Sequence, residues 1–219
     1  MALARFGRAW YDDGPPRMAD VNRLDLDAYK RLTARPRLYG FHATLKAPFR
    51  LAESMAQKAL SNALTGIAAR FQPIEMPSLK VALIGDFLAL VPAQPTPQAD
   101  ALAAACAVEL DQLRAPQTDA EYERRQPERL SERQRELLRS WGYPYVLEEF
   151  RWHMTLTDRL DNQLAGALLR HLDQVYRRAC GNEPAVIDCL SLVRQPTLDT
   201  PFELVARIPL RPSELRITN

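Results

Sequence analysis

Two of the chain's three histidines sit in the same short string. His42-Ala43-Thr44-Leu45 and His153-Met154-Thr155-Leu156 both read His-x-Thr-Leu. Imidazole changes charge near neutral pH, so one ring can accept a proton while another donates one. A threonine hydroxyl is short, stiff and able to donate to an anionic oxygen. At positions i and i+2 of a strand the two side chains point the same way, about 6–7 Å apart. Two such units facing one another would flank a tetrahedral phosphate. One histidine would activate water or a hydroxyl, the other would protonate the leaving oxygen, and Thr44 and Thr155 would hold the non-bridging oxygens. Which histidine is acid and which is base stays open at this level. Acid and base are both side chains, so the chemistry calls for no metal and no cofactor.

Strands must present these residues. From Phe150 to Thr157, Phe150, Trp152, Met154 and Leu156 fall on one face and Arg151, His153, Thr155 and Thr157 on the other, the pattern of a strand between core and wet cleft. From Tyr39 to Lys46, Phe41, Ala43 and Leu45 alternate with His42, Thr44 and Lys46. Each cassette precedes a long helical pattern. One spans about Glu53 to Arg70, opened by a Ser54-x-x-Gln57 capping box, and the other spans Asp161 to Ala179. Paired apolar runs come next. Leu79–Ile84 and Phe87–Val91 read as a hairpin about Gly85-Asp86, and Ala185–Val193 and Phe202–Leu210 as two further strands.

The order therefore repeats, and the offset between the histidines, 153 − 42 = 111, is about half of the 219 residues. Two units too small to bury a sheet alone would pack around a shared cleft. The expected fold is α+β and bilobal, with two small antiparallel sheets facing the cleft and helices outside. It forms a single domain over residues 1–219. A first lobe covers mainly 1–115, a charged connector about 116–140, and a second lobe mainly 141–219. Smaller expectations are a short helix over Leu24–Leu32 and an alanine-rich helix over Asp100–Arg114. The connector reads as a solvated face or a loose link, anchored by Leu137, Leu138 and Trp141.

Composition narrows the partners. A net charge of +2 argues against long nucleic acid, which usually meets a strongly basic surface. No apolar run approaches a membrane span, and the first residues hold no apolar leader core, so a cytoplasmic protein is expected. Cys106, Cys180 and Cys189 read as buried thiols of a reducing compartment. His171 reads as structural. A zinc site on His42, His153 and a carboxylate has no supporting metal-binding motif.

The two His-x-Thr-Leu strings resemble the paired motifs of the 2H phosphoesterase superfamily, which includes RNA 2′-5′ ligase-like proteins and cyclic nucleotide phosphodiesterases. The order of elements is similar too, so the resemblance covers most of the chain. Tyr39-Gly40-Phe41-His42-Ala43-Thr44-Leu45-Lys46-Ala47-Pro48-Phe49 and Trp141-Gly142-Tyr143-Pro144-Tyr145 resemble a narrower branch, the putative phosphonate metabolism proteins. The resemblance implies a metal-independent phosphoesterase that acts on a cyclic phosphate or phosphodiester of a small phosphorylated metabolite, with a phosphoribosyl cyclic phosphate as a natural candidate. Such proteins usually begin with a strand. The first ten residues here hold none, so the first lobe's sheet is expected to be one strand short.

Lys46, Arg151, Tyr39 and Tyr143 are candidate substrate contacts. Each cation reads equally as a solvated strand-end charge, and each tyrosine as packing. Two other functions use the same cleft. A non-catalytic module would hold a phosphometabolite without converting it, and an RNA 2′-5′ ligase-like enzyme would work on RNA ends. The second needs a basic track, and the mixed charges of 121–139 supply none.

Overall fold

A computed structural model describes residues 2–12, 26–181, 183–198 and 200–211. Its elements run in order α1 (Ala2–Asp12), α2 (Leu26–Leu32), α3 (Ala34–Tyr39), α4 (Gln57–Ala68), β1 (Ile74–Glu75), β2 (Leu79–Ile84), β3 (Phe87–Pro92), α5 (Pro97–Glu109), α6 (Asp119–Glu123), α7 (Glu132–Trp141), β4 (Met154–Thr155), α8 (Asn162–Cys180), β5 (Val186–Ile187), β6 (Cys189–Arg194) and β7 (Glu203–Pro209). The chain is mixed helix and sheet, and every pairing is antiparallel: β1 with β5, β2-β3-β4, and β6 with β7.

The hairpin forms where the sequence predicts it. Ile84 pairs with Phe87 across Gly85-Asp86, and Gly85 adopts φ 58, which a two-residue hairpin loop needs at its first position. Helix α8 opens on Asp161, whose carboxylate accepts from the Leu164 N–H at 2.8 Å. Its buried Leu168, Leu172 and Tyr176 recur every four residues.

The two halves exchange partners. Helix α8, from the second half, packs on β2 and β3 of the first. Helix α4, from the first half, packs on β6 and β7 of the second. One buried cluster runs through both. Burying a leucine-sized side chain contributes about 1.5–3 kcal/mol, so each hairpin depends on a helix from the other half of the chain.

Several elements depart from their predicted bounds. Tyr39–Lys46 makes only one bridge, Ala43 opposite Met154. Helix α3 runs through Tyr39, and Gly40 turns the chain out of it at φ 72. Helix α4 starts at Gln57 on an Ala56 cap, without the Ser54 box. Leu51 and Ala52 pair instead with Arg114 and Leu113, and Ser54 lies in a turn closed by the Met55 N–H on the Ala52 carbonyl at 2.8 Å. Helix α5 starts three residues early, with Pro97 in its first turn. It stops at Glu109, and the predicted last turn becomes a 3-10 turn over Asp111–Leu113. Leu24 and Asp25 of the predicted first helix lie outside the described residues. The charged connector is a solvated face rather than a loose link. Capping boxes Thr118/Glu121 and Ser131/Gln134 open α6 and α7, and Leu137 and Leu138 are buried.

The first residues form the helix α1. Phe6, Trp10 and Tyr11 are buried, and the helix packs on α8. The Trp10 indole donates to the Leu156 carbonyl and the Tyr11 hydroxyl to the Thr155 carbonyl, both at 2.7 Å. Two side chains of α1 thus satisfy backbone carbonyls at the end of β4.

Candidate active site

Strand β4 pairs on one side with β3, Met154 opposite Leu90 and Thr155 opposite Ala89. On its other side Ala43 bridges Met154 antiparallel. Bridge partners share a face, and their neighbours share the opposite one. The register therefore sets His42 across from Thr155 and Thr44 across from His153. The four side chains rise from one face at the corners of a rectangle about 5 Å by 6–7 Å, with histidines on one diagonal and threonines on the other. Burial follows this geometry. Trp152, Met154 and Leu156 are buried, His153 and Thr155 are half-buried, and His42 and Arg151 are exposed.

Each ring is fixed by the same local device. His42 Nδ1 lies 3.1 Å from the Gly40 carbonyl, and His153 Nδ1 lies 2.7 Å from the Arg151 carbonyl. A carbonyl only accepts, so in the neutral ring the Nδ1 atoms carry the protons and the Nε2 atoms are left as acceptors. His42 Nε2 lies 2.9 Å from Thr44 Oγ1, which donates to it. The surrounding protein lowers the His42 pKa, the Gly40 carbonyl opposes that, and the nearby His153 lowers it further. A ring biased toward its neutral form is ready to take a proton.

Aromatic rings flank both histidines. Tyr39 meets His42 edge-on at 6.5 Å, with Phe202 behind it at 5.5 Å. Phe87 lies 5.8 Å from His153. Beside Arg151, and lined by neither histidine, lies an open hollow of about 340 Å³ whose walls include Ala82, Ile84, Val91, Gln94, Asp100 and Trp152. Ala82 and Ile84 pair with Ala89 and Phe87, so that wall continues the face that carries Thr155.

The remaining candidates divide. Lys46 is turned into the protein. Its ammonium donates to the Ala107 carbonyl at 2.8 Å and reaches Asp111 at 3.3 Å. Burial lowers its pKa and Asp111 opposes that. Tyr143 packs with Leu137, Val146 and Trp141, under the Arg125 guanidinium at 4.9 Å, and burial raises its pKa. Tyr39 and Arg151 stay beside the histidines. Phe87, Phe202, Trp10 and Tyr11 are contacts that the sequence reading missed. The recurrence of Phe6, Trp10 and Tyr11 on one helical face was the only available signal, and nothing in the spacing points to Phe87.

His171 sits on α8, apart from either cassette in the sequence. Cys106 and Cys180 are buried, while Cys189 is half-buried with Arg207 3.4 Å from its sulfur. Burial pushes the Cys106 thiol up to about 12, which suppresses a thiolate nucleophile. Among the described residues, no three His, Cys, Asp or Glu side chains gather as a metal site, and no helix is long and apolar enough to cross a membrane.

The chain is similar to two curated proteins that share a name, ribose 1,5-bisphosphate phosphokinase PhnN. With that of Janthinobacterium sp. (strain Marseille) it is 36% identical over 214 residues, 94% of this chain and 47% of the relative. With that of Laribacter hongkongensis (strain HLHK9) it is 43% identical over 125 residues, 56% of this chain and 28% of the relative. The chain thus spans about half the length, or less, of the curated relatives it matches. Residues 44–203, which carry Thr44, the hairpin, β4 and His153, match the family described as "Protein of unknown function (DUF1045)", and the chain belongs to that family.

Proposed function

We propose that this chain is a phosphoesterase of the 2H type, which opens a cyclic phosphate of a small phosphorylated sugar. The observation that carries the reading is the Ala43–Met154 register, which brings both His-x-Thr units to one face. His42, with its lowered pKa and acceptor Nε2, is the general base. It removes a proton from the attacking water as the water oxygen bonds to phosphorus. His153, on the opposite corner, enters protonated and gives its proton to the departing ring oxygen. The products are a phosphomonoester and a free hydroxyl, and the two histidines end with their protonation states exchanged. Thr44 turns its hydroxyl from His42 Nε2 to the incoming phosphate, which frees that nitrogen for the water proton, and with Thr155 it donates to the non-bridging oxygens, where charge develops.

A ribose phosphate is the favoured substrate class. The resemblance to the phosphonate-metabolism branch and the name of the relatives, ribose 1,5-bisphosphate phosphokinase, both point to phosphorylated ribose. The relatives' name specifies phosphoryl transfer, which offers a second reading. However, this chain's eight glycines include no Gly-x-x-x-x-Gly-Lys cradle for a triphosphate. We assign the named kinase chemistry to the part of those relatives beyond the match.

A panel of ribose 1,2-cyclic phosphate and 2′,3′-cyclic nucleotides, followed by phosphorus NMR with EDTA present, tests the reading. We expect the cyclic signal to convert to a monoester. ATP consumption with ribose 1,5-bisphosphate, and no ring opening, would favour the kinase.

A further inference from the structure

We infer that Lys46 is a positioning residue, whose hold on Asp111 and on the end of α5 sets His42 and Thr44 against the second cassette. The inference deepens the phosphoesterase reading above, and its kinetic half rests on that reading.

The first cassette has little sheet to place it. Ala43 bridges β4, and the chain bends at Leu45 and Lys46. Past the bend the Lys46 side chain runs inward and is only 9% exposed. Its ammonium donates to the Ala107 carbonyl, in the last turn of α5, at 2.8 Å and to Asp111 at 3.3 Å. A cation suits the carbonyl end of a helix. The Phe49 ring lies 5.3 Å from the same ammonium. Asp111 is held in turn. Arg114 grips both its oxygens, at 2.8 and 3.2 Å, and donates onward to the Ser140 carbonyl at 3.1 Å. Against Arg114, α7 ends on Gly142 at φ 73, where a Cβ would stand 3.2 Å from the guanidinium.

This line of contacts starts four residues after His42 and ends where the chain leaves α7 for the second cassette. It ties the open end of the first cassette to the approach of the other. A buried ammonium cannot leave its carboxylate without standing uncompensated, so the clamp fixes that end. Displacing a reacting group by about 1 Å can cost about 10²-fold in rate. His42 reports its own placement. Burial holds its pKa below the ordinary value, the Gly40 carbonyl opposes that, and His153 lowers it further. Thr44 and the Tyr39 ring are its other neighbours. A first cassette released from Lys46 would expose the ring and part it from His153, and both changes raise its pKa.

The test titrates both imidazoles by NMR, without substrate, in wild type, Lys46→Met and Asp111→Ala. Loss of the clamp should raise the His42 pKa toward about 6.5 in both variants and move His153 less. A charge felt through space would act with opposite signs, because one variant loses a cation and the other an anion. Lys46→Arg, which keeps a cationic donor for Asp111, should hold His42 closer to its wild-type value. In kinetics, Lys46→Met should lower kcat for ring opening by about 10- to 100-fold with KM little changed, and Lys46→Arg should recover part of it. Melting curves check that each variant is folded, and Lys46→Gln with Asp111→Asn makes the same comparison if the first pair is not. An unmoved His42, or shifts of opposite sign, overturns the inference alone. If wild type opens no cyclic phosphate, the phosphoesterase reading fails, and the titrations still decide whether Lys46 places His42.

Discussion

The two His-x-Thr-Leu strings are nearly identical in spelling and differ in how they are held. The second is built into a sheet. Met154 and Thr155 pair with Leu90 and Ala89, the Leu156 N–H donates to the Leu88 carbonyl at 2.8 Å, and Trp10 and Tyr11 cap the outer carbonyls. The first hangs on a single bridge at Ala43, beside the positive-φ turn at Gly40. Its Phe41 ring rests directly against Gly7 of α1. The same letters thus give one rigid wall and one wall that α1 presses into place. The compliant wall carries His42, the ring whose pKa the protein lowers.

The largest expected effect strikes both walls alike. His42→Ala and His153→Ala should each lower kcat for ring opening by about 10²- to 10⁴-fold, the usual scale of general acid–base catalysis. Steady-state rates on the best cyclic substrate check this. An asymmetric result, with one variant near wild type, would reduce the pair to a single catalytic histidine.

Next come substitutions in α1 that load one wall each. A Cβ at Gly7 would collide with the Phe41 ring. Gly7→Ala should therefore cost about 1–3 kcal/mol and lower activity through the His42 wall. Trp10→Phe leaves the Leu156 carbonyl without its indole donor, and should cost a similar 1–3 kcal/mol. Its kinetic loss should be smaller, because β3 still holds β4. Denaturant midpoints and kcat, measured together, separate the two.

The smallest effect is on stability. The folded His42 pKa lies below its ordinary value near 6.5. As pH falls through that value, the unfolded chain takes up the proton first, so the His42 contribution is present above about pH 6.5 and fades below it. His42→Gln should flatten that part of the stability–pH curve. A curve unchanged by the substitution would mean that the ring is not coupled to folding.

Much of this was legible in the sequence, and the exceptions have physical causes. Alternation over 150–157 and the Gly85-Asp86 turn mark strands whose patterns are local. Tyr39–Lys46 shows the same alternation yet forms only a bridge. Its partner, Met154, lies 111 positions on, and no local pattern encodes how far such a pairing extends. Thr96-Pro97 was a helix-start signal hidden in a proline-rich run. Thr118-x-x-Glu121 and Ser131-x-x-Gln134 were capping boxes obscured by the surrounding charge. The exchange of α4 and α8 between hairpins is a tertiary fact that repeated element order cannot reveal.

The pH dependence of kcat/KM for ring opening tests most directly whether two imidazoles act on one phosphorus. Wild type should give a bell, His42→Ala should lose the acidic limb as the base is removed, and His153→Ala should lose the alkaline limb as the acid is removed. The same bell at wild-type rate in both variants would contradict it.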